Sequence, residues 1–239
     1  MEIKQDKEIK QEILLDEKLA RGVCFLPDRD EQSGDMKDMT SVFRKMVKVP
    51  RQTHSLNVGI VENDGQTFDD VDALVTFTPE IPIGVFTADC VPILMFATDV
   101  AGVAAVHAGW KGTIGGIIDR ALDILEQYGA KPENILVAFG PSISSDSYEV
   151  GEDLADRFRE AGFGDSVSYP IADSRPHIDL QGVNIERLLR RGIRTENIRP
   201  HAGCSMTSHA ADGSPLYCSH RRSAGNPARM LTSIMLLRE

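Results

Sequence analysis

Apolar residues along this chain change rhythm several times, and each change marks an element. Residues 83–86, 93–96 and 102–106 are short apolar runs of strand type, the last made of small and β-branched residues. Residues 72–77 read as another short strand, punctuated by Pro79-Glu80-Ile81-Pro82. The rhythm then turns helical: Ile114, Ile117, Ile118, Ala121, Leu122 and Leu125 make one stripe and predict a helix over 113–128, stopped at Gly129. A strand at 135–139 follows, so 102–139 reads as strand, helix, strand. Further helices are predicted over 152–160 and 184–191, and a closing strand over 231–237. Upstream, 28–40 is a polar, turn-rich loop, 42–61 looks extended, and Asn63-Asp64-Gly65 is a turn signal.

Two relations between segments follow. The polar break between 93–96 and 102–106 is Thr98-Asp99. A tight hairpin centred there sets Cys90 directly opposite His107 on one face, roughly 5 Å apart at Cβ. Gly129-Ala130-Lys131-Pro132-Glu133-Asn134-Ile135 is echoed by Gly192-Ile193-Arg194-Thr195-Glu196-Asn197-Ile198. Each echo reads as a helix end feeding a strand, and each is followed by a glycine at the same distance, Gly140 and Gly203. Shared turn chemistry accounts for the echo as well as a duplicated unit does.

Composition narrows the class. The 239 residues, 41% of them hydrophobic, suit one domain spanning 1–239. A net charge of −10 argues against a nucleic-acid partner, because phosphate neutralisation needs a basic face, but leaves room for a small anionic ligand. Residues 1–18 are polar and charged, lack a signal-peptide core, and are expected to be a flexible or helical extension. The most apolar stretch, 81–96, is interrupted by Asp89 and two prolines, so no membrane span is expected. Four cysteines without a Cys-x-x-Cys pair point to a reduced, cytoplasmic protein. A monomer or homodimer acting on a small molecule is expected.

The candidate chemistry centres on Cys90 and His107. Either alone reads as core; together, with Asp89 adjacent and Gly109-Trp110-Lys111-Gly112 following, they suit a metal or an activated nucleophile. Zinc favours nitrogen and sulfur donors in tetrahedral array, and three protein ligands leave a position for water. His54 is the first choice for the third ligand, with His177, His201, His209 and His220 as rivals. The glycine-rich turn precedes the predicted helix and suits an anion, with Lys111 adding charge. It lacks the ending of a phosphate-binding P-loop. Gly140-Pro141-Ser142 is a candidate opposite wall, and Arg221-Arg222 suit a phosphate or carboxylate clamp.

At this point the sequence resembles a known family. Asp72-Ala73-Leu74-Val75-Thr76, Thr87-Ala88-Asp89-Cys90-Val91-Pro92 and His107-Ala108-Gly109-Trp110-Lys111-Gly112 match its signature blocks in order and spacing. Gln52-Thr53-His54-Ser55, Gly140-Pro141-Ser142-Ile143, Tyr148-Glu149-Val150-Gly151 and Ser219-His220-Arg221-Arg222 match further blocks. The family is variously called laccase-domain or polyphenol-oxidase-like, peptidoglycan editing factor, and purine nucleoside phosphorylase, and the likeness runs from about residue 40 onward. It implies a single α/β (α+β) domain with mixed sheets layered with helices, of α/β/β/α type. It implies zinc held by His54, Cys90 and His107, which would also be the catalytic residues. The implied chemistry is phosphorolysis of adenosine, inosine and methylthioadenosine, with deamination of adenosine. A link to peptidoglycan-precursor editing is also attached to the family. Arg51, Ser55, Lys111, Arg221 and Arg222 are the candidate substrate or phosphate ligands. The chain departs from the pattern after Arg222, where a threonine-glycine-arginine ending is usual, and at Ser144 to Ser147, where cysteines are usual.

A four-copper oxidase is rejected on the sequence: such enzymes use about ten histidines, largely in His-x-His pairs, and this chain has six with no such pair. Two other readings stay open. Cys90 and His107 could be a cysteine-hydrolase dyad with amides near Gly109 as an oxyanion hole, or the metal could serve a non-catalytic binding module.

Overall fold

The computed structural model describes residues 11–26, 36–171, 174–223 and 228–238. The chain opens with strands β1 (Gln11–Glu17) and β2 (Ala20–Phe25), a one-turn helix α1 (Thr40–Phe43), and strands β3 (Val58–Val61), β4 (Ala73–Thr76), β5 (Ile83–Thr87), β6 (Val91–Ala97) and β7 (Gly102–Ala108). Helices α2 (Trp110–Gly115) and α3 (Ile117–Gln127) lead to β8 (Ile135–Phe139), α4 (Glu152–Glu160), β9 (Val167–Ser168), β10 (His177–Ile178), α5 (Leu180–Arg190), β11 (Ile198–Arg199) and β12 (Met230–Leu236).

A six-stranded mixed sheet, ordered β11-β8-β6-β7-β4-β3, lies at the centre. A four-stranded antiparallel sheet, ordered β1-β2-β12-β5, packs on one face. Successive side chains of a strand face opposite ways, so β6 and β7 serve two cores. Ile93, Met95, Ala104 and Val106 join Ile118, Leu122 and Leu125 of α3 and Val183 and Leu188 of α5. Leu94, Phe96, Val103 and Ala105 meet Val85 and Ile234 of the four-stranded sheet. Burial on both faces explains why these strands read as unbroken apolar runs. On the far face of the small sheet, Phe43 and Val47 cover Phe86 and Leu231. The layering is that of an α+β fold with helices outside two sheets.

Several expectations are corrected by the structure. Residues 11–17 form edge strand β1, with Leu15 buried in the inter-sheet core, rather than part of a flexible or helical extension. Residues 1–10 and 27–35 lie outside the described set, which takes in most of the predicted loop at 28–40. The segment 42–61 is not extended throughout: it begins in the helical turn Thr40–Phe43, which buries Phe43, pairs singly at Lys48 and Arg51, and forms a strand at β3. α5 begins at Leu180, where the Asp179 side chain accepts from the Gly182 amide and caps the helix.

The helix predicted over 113–128 is two helices. Gly116 adopts φ of +77°, a left-handed conformation that ends α2 and starts α3. The break leaves carbonyls of α2 without helical partners, and Arg187 satisfies them, donating from Nε to Thr113 O at 2.9 Å and to Ile114 O. The predicted apolar stripe survives: Ile117, Ile118, Ala121, Leu122 and Leu125 are all fully buried. Each large side chain contributes about 1.5–3 kcal/mol on burial, well above the roughly 1 kcal/mol that a helical glycine costs.

The β6–β7 hairpin is also wider than predicted. Ala97 pairs with Gly102 and Pro92 with His107, so residues 98–101 form the loop. Contacts from the neighbouring loop hold it open: Asp99 Oδ2 accepts from the Lys131 amide and Asn134 Nδ2, and Thr98 donates to Asn134 O. Cys90 therefore sits in the bend before β6 rather than opposite His107. The offset is two residues, which preserves the face.

The internal echo is structural. Gly129 and Gly192 both take positive φ, a 3-10 turn follows each, and the strands they feed, β8 and β11, pair in parallel.

Candidate metal centre

Three segments bring His54, Cys90 and His107 together. His107 stands near the end of β7 and is 4% exposed. Cys90 follows Asp89, whose backbone is left-handed at φ of +85°. That turn is held by Ile143 N–H donating to Asp89 O, and by Ser205 Oγ and the Arg221 amide donating to the Asp89 carboxylate at 2.6 and 2.7 Å. His54 lies on the loop after Arg51, with φ of +62°. The loop is fastened to β5 by Gln52, whose side-chain amide donates to Phe86 O and accepts from Phe86 N–H, both at 2.8 Å.

Asp72, fully buried just before β4, ties two of the three residues together. Its carboxylate accepts the amides of Thr53, His54 and Ser55 at 3.1, 3.0 and 2.6 Å, and the Ser55 hydroxyl at 2.8 Å. It also meets His107 Nδ1 at 2.7 Å. One carboxylate thus fixes both the strained His54 loop and the imidazole of His107, an arrangement that leaves Nε2 of His107 as the donor atom. Burial raises the pKa of Asp72, but the bonds from His107, Thr53 and Ser55 outweigh it and hold the carboxyl pKa at about 2.

One donor atom from each of His54, Cys90 and His107 lies within 4.8 Å of the others, the only such cluster of His, Cys, Asp and Glu among the described residues. Cys90 Sγ is 3.7 Å from His54 Nε2, and the two imidazoles meet edge to face with centroids 4.8 Å apart. Burial pushes the Cys90 thiol up, while His107 and His54 pull it down further, to about 6. Burial depresses His107, but Asp72 and Cys90 raise it overall to about 9. Two nitrogens and an ionisable sulfur converging this closely fit a metal that favours mixed nitrogen and sulfur ligation. Gly109 is part of the fit: a Cβ there would come within 2.7 Å of His54 Cδ2 and 3.1 Å of Cys90 Sγ. The three residues open into a cavity of about 610 Å³, also lined by Arg44, Arg51, Tyr148, His220, Arg221 and Arg229.

The family model described as multi-copper polyphenol oxidoreductase laccase matches residues 31–237. The chain belongs to this family. It is 38% identical over 187 residues to a purine nucleoside phosphorylase of Deinococcus radiodurans, covering 78% of this chain and 69% of that one. It is 36% identical over 197 residues to adenosine deaminase RL5 of an unknown prokaryotic organism, covering 78% and 73%. The fold matches the crystal structure of the YfiH protein of Bacillus licheniformis, with a TM-score of 0.76 at 22% identity over 92% of this chain and 93% of that one.

Within this laccase-like family member, the sequence-predicted residues divide. Arg51 and Arg221 line the cavity. Arg51 pairs with Asp69 at 2.8 Å, while Arg221 lies over the Tyr148 ring and donates to Glu149 O. Ser55 touches Asp72 and Asp70 O and acts on the loop. Lys111 is not in the cavity: its ammonium lies 5.6 Å over the Trp110 ring, in a separate groove with Arg157. Arg222 is not there either, because it donates to the carbonyls of Ser205, Met206 and Tyr217 and braces that loop. Beyond the glycine-proline-serine turn, Ile143 supplies a wall. Of the rival histidines, His220 lines the cavity; His177 and His201 bond elsewhere, to Ser145 O and to Glu12. Asp72 and Arg44 carried no role in the sequence reading. The buried Asp72 had a signal, an acidic residue opening an apolar strand; Arg44 had none.

Proposed function

We propose that this chain is a zinc-dependent purine nucleoside enzyme that cleaves adenosine, inosine and methylthioadenosine with phosphate and deaminates adenosine. The observation that carries the reading is the convergence of His54, Cys90 and His107 on one cavity that also presents Arg51 and Arg221. The names of the relatives from Deinococcus radiodurans and of adenosine deaminase RL5 support the substrate class.

Zinc held by His54, Cys90 and His107 would supply a Lewis acid for activating water. The chain's own groups do the rest. Asp72 keeps the Nδ1 proton on His107 and the His54 loop in place, so the donor atoms are set before any ligand arrives. Arg51 and Arg221 give a local positive field within a chain of net charge −10, which draws and orients phosphate. In phosphorolysis a phosphate oxygen bonds to the anomeric carbon as the carbon–nitrogen bond to the purine breaks, and the base leaves with a proton. In deamination water adds at C6 and ammonia leaves. The cationic wall stabilises phosphate as charge shifts toward the purine. The cavity's volume suits a nucleoside-sized ligand.

A second reading rests on the same geometry: His107 and His54 beside Cys90 favour its thiolate, and Asp72 and Cys90 favour a protonated His107, the directions a cysteine hydrolase needs. Four free cysteines fit a reducing, cytoplasmic setting, and no described helix is long and apolar enough to cross a membrane. The deciding experiment incubates metal-analysed protein with adenosine, with and without phosphate, and separates adenine, inosine and hypoxanthine. Adenine that requires phosphate, and inosine that does not, is the expected result. Absence of both products from zinc-loaded protein overturns the proposal.

A further inference from the structure

With Lys111 and Arg222 directed elsewhere, the cavity must find its phosphate ligands among other residues. Arg51 is partly neutralised by Asp69, and Arg221 is engaged by Glu149 O and the Tyr148 ring. Arg44, the residue that closes α1, faces the same cavity. Its guanidinium carbon lies 5.2 Å over the Phe86 ring, and among the described residues that guanidinium has no carboxylate or carbonyl partner. Phe86 is itself fixed, since it is 8% exposed and clamped through its backbone by Gln52. Stacking on a fixed ring orients the planar guanidinium while leaving its donors for a ligand.

Arg44 and Arg51 both line the metal cavity and a neighbouring cleft of about 710 Å³, where Lys45 and Lys48 stand with Asp64, Asp69 and Glu80. Of the two shared arginines, Arg51 is paired with Asp69, while Arg44 stacks on Phe86.

We propose that Arg44 captures inorganic phosphate at the junction of cleft and cavity and holds it for attack. The inference rests on the phosphorolytic reading for its biological sense, but the binding it asserts is measurable without turnover. Loss of a charge-assisted contact of this kind weakens phosphate by about tenfold or more. The experiment titrates inorganic phosphate calorimetrically into zinc-loaded wild type, Arg44→Ala and Arg44→Lys, and measures phosphorolysis of adenosine in the same preparations. Arg44 is exposed, so both variants should fold. Expected are a rise of about tenfold or more in Kd and KM for phosphate in Arg44→Ala, partial recovery in Arg44→Lys, and a KM for adenosine within about twofold of wild type. Unchanged phosphate affinity in Arg44→Ala, no saturable phosphate binding in wild type, or an equal rise in both KM values overturns the proposal. Phosphate binding that depends on Arg44 without formation of adenine supports the subsite and defeats the phosphorolytic reading instead.

Discussion

Cys90 and Cys204 are both held at a pKa of about 6, but by different partners. Both thiols are pushed up by burial and brought down to about 6 by hydrogen bonds. At Cys90 the bonds come from two imidazoles, His107 and His54, which can themselves bind a metal. At Cys204 they come from Ser144, Ser147 and Thr207, with the Ser144 amide 3.4 Å away and Ser147 Oγ at 3.5 Å. Cys24 has a single hydroxyl partner, Thr232, and Cys218 has only the charges of Arg229 and Arg222; burial outweighs these and pushes both to about 12. A lowered thiol pKa therefore does not mark function by itself. What distinguishes Cys90 is the identity of its partners and the cavity they open into; Cys204 is 7% exposed beside a turn of hydroxyls.

The comparison breaks most directly at the sulfur. Cys90→Ser should abolish stoichiometric zinc and all nucleoside turnover, whereas Cys204→Ser should keep both, as measured by elemental analysis and product separation. Zinc retained at one equivalent in Cys90→Ser would merge the two thiols into one structural class. The next largest effect is expected at Asp72, which serves only the first of them. Asp72→Asn should weaken zinc by about 10- to 100-fold in a chelator competition and alter the visible spectrum of the cobalt-substituted protein, while Asp72→Glu restores part of the affinity. An unchanged cobalt spectrum with reduced stability alone would leave Asp72 a purely structural residue.

The smallest effect concerns Cys204. Its folded-state value, about 6, lies below the ordinary 9.0, so its thiolate contributes stability that is fully present above about pH 9 and is lost as pH falls toward 6. The difference in unfolding free energy between wild type and Cys204→Ser should therefore shrink as pH falls from 9 to 6, as read by urea titration under reducing conditions. A difference that is flat with pH would show that Cys204 stays a neutral thiol.

Much of this contrast was legible beforehand. Cys90, His107 and His54 were singled out from their motifs, and the strands around them followed from apolar runs that the two-faced central sheet now explains. The pairing of Cys90 with His107 was drawn two residues out of register, because loop contacts from Asp99 to Lys131 and Asn134 widen the hairpin. The helix over 113–128 concealed its break, because the apolar stripe runs on past the Gly115-Gly116 pair and Arg187, which stabilises the break, is remote in sequence. Lys111 and Arg222 looked as suitable for phosphate as Arg221. Their directions are settled by the Trp110 ring and by three backbone carbonyls.

The residue pattern alone therefore determined the strands, most helices, and the kinds of donor atom available, since periodicity and donor chemistry are local properties. Tertiary structure decided which thiol meets imidazole, that Asp72 holds two histidines at once, and that Arg44 rather than Lys111 faces the cavity. Those outcomes depend on where segments far apart in the chain place their side chains, and no local pattern encodes that direction.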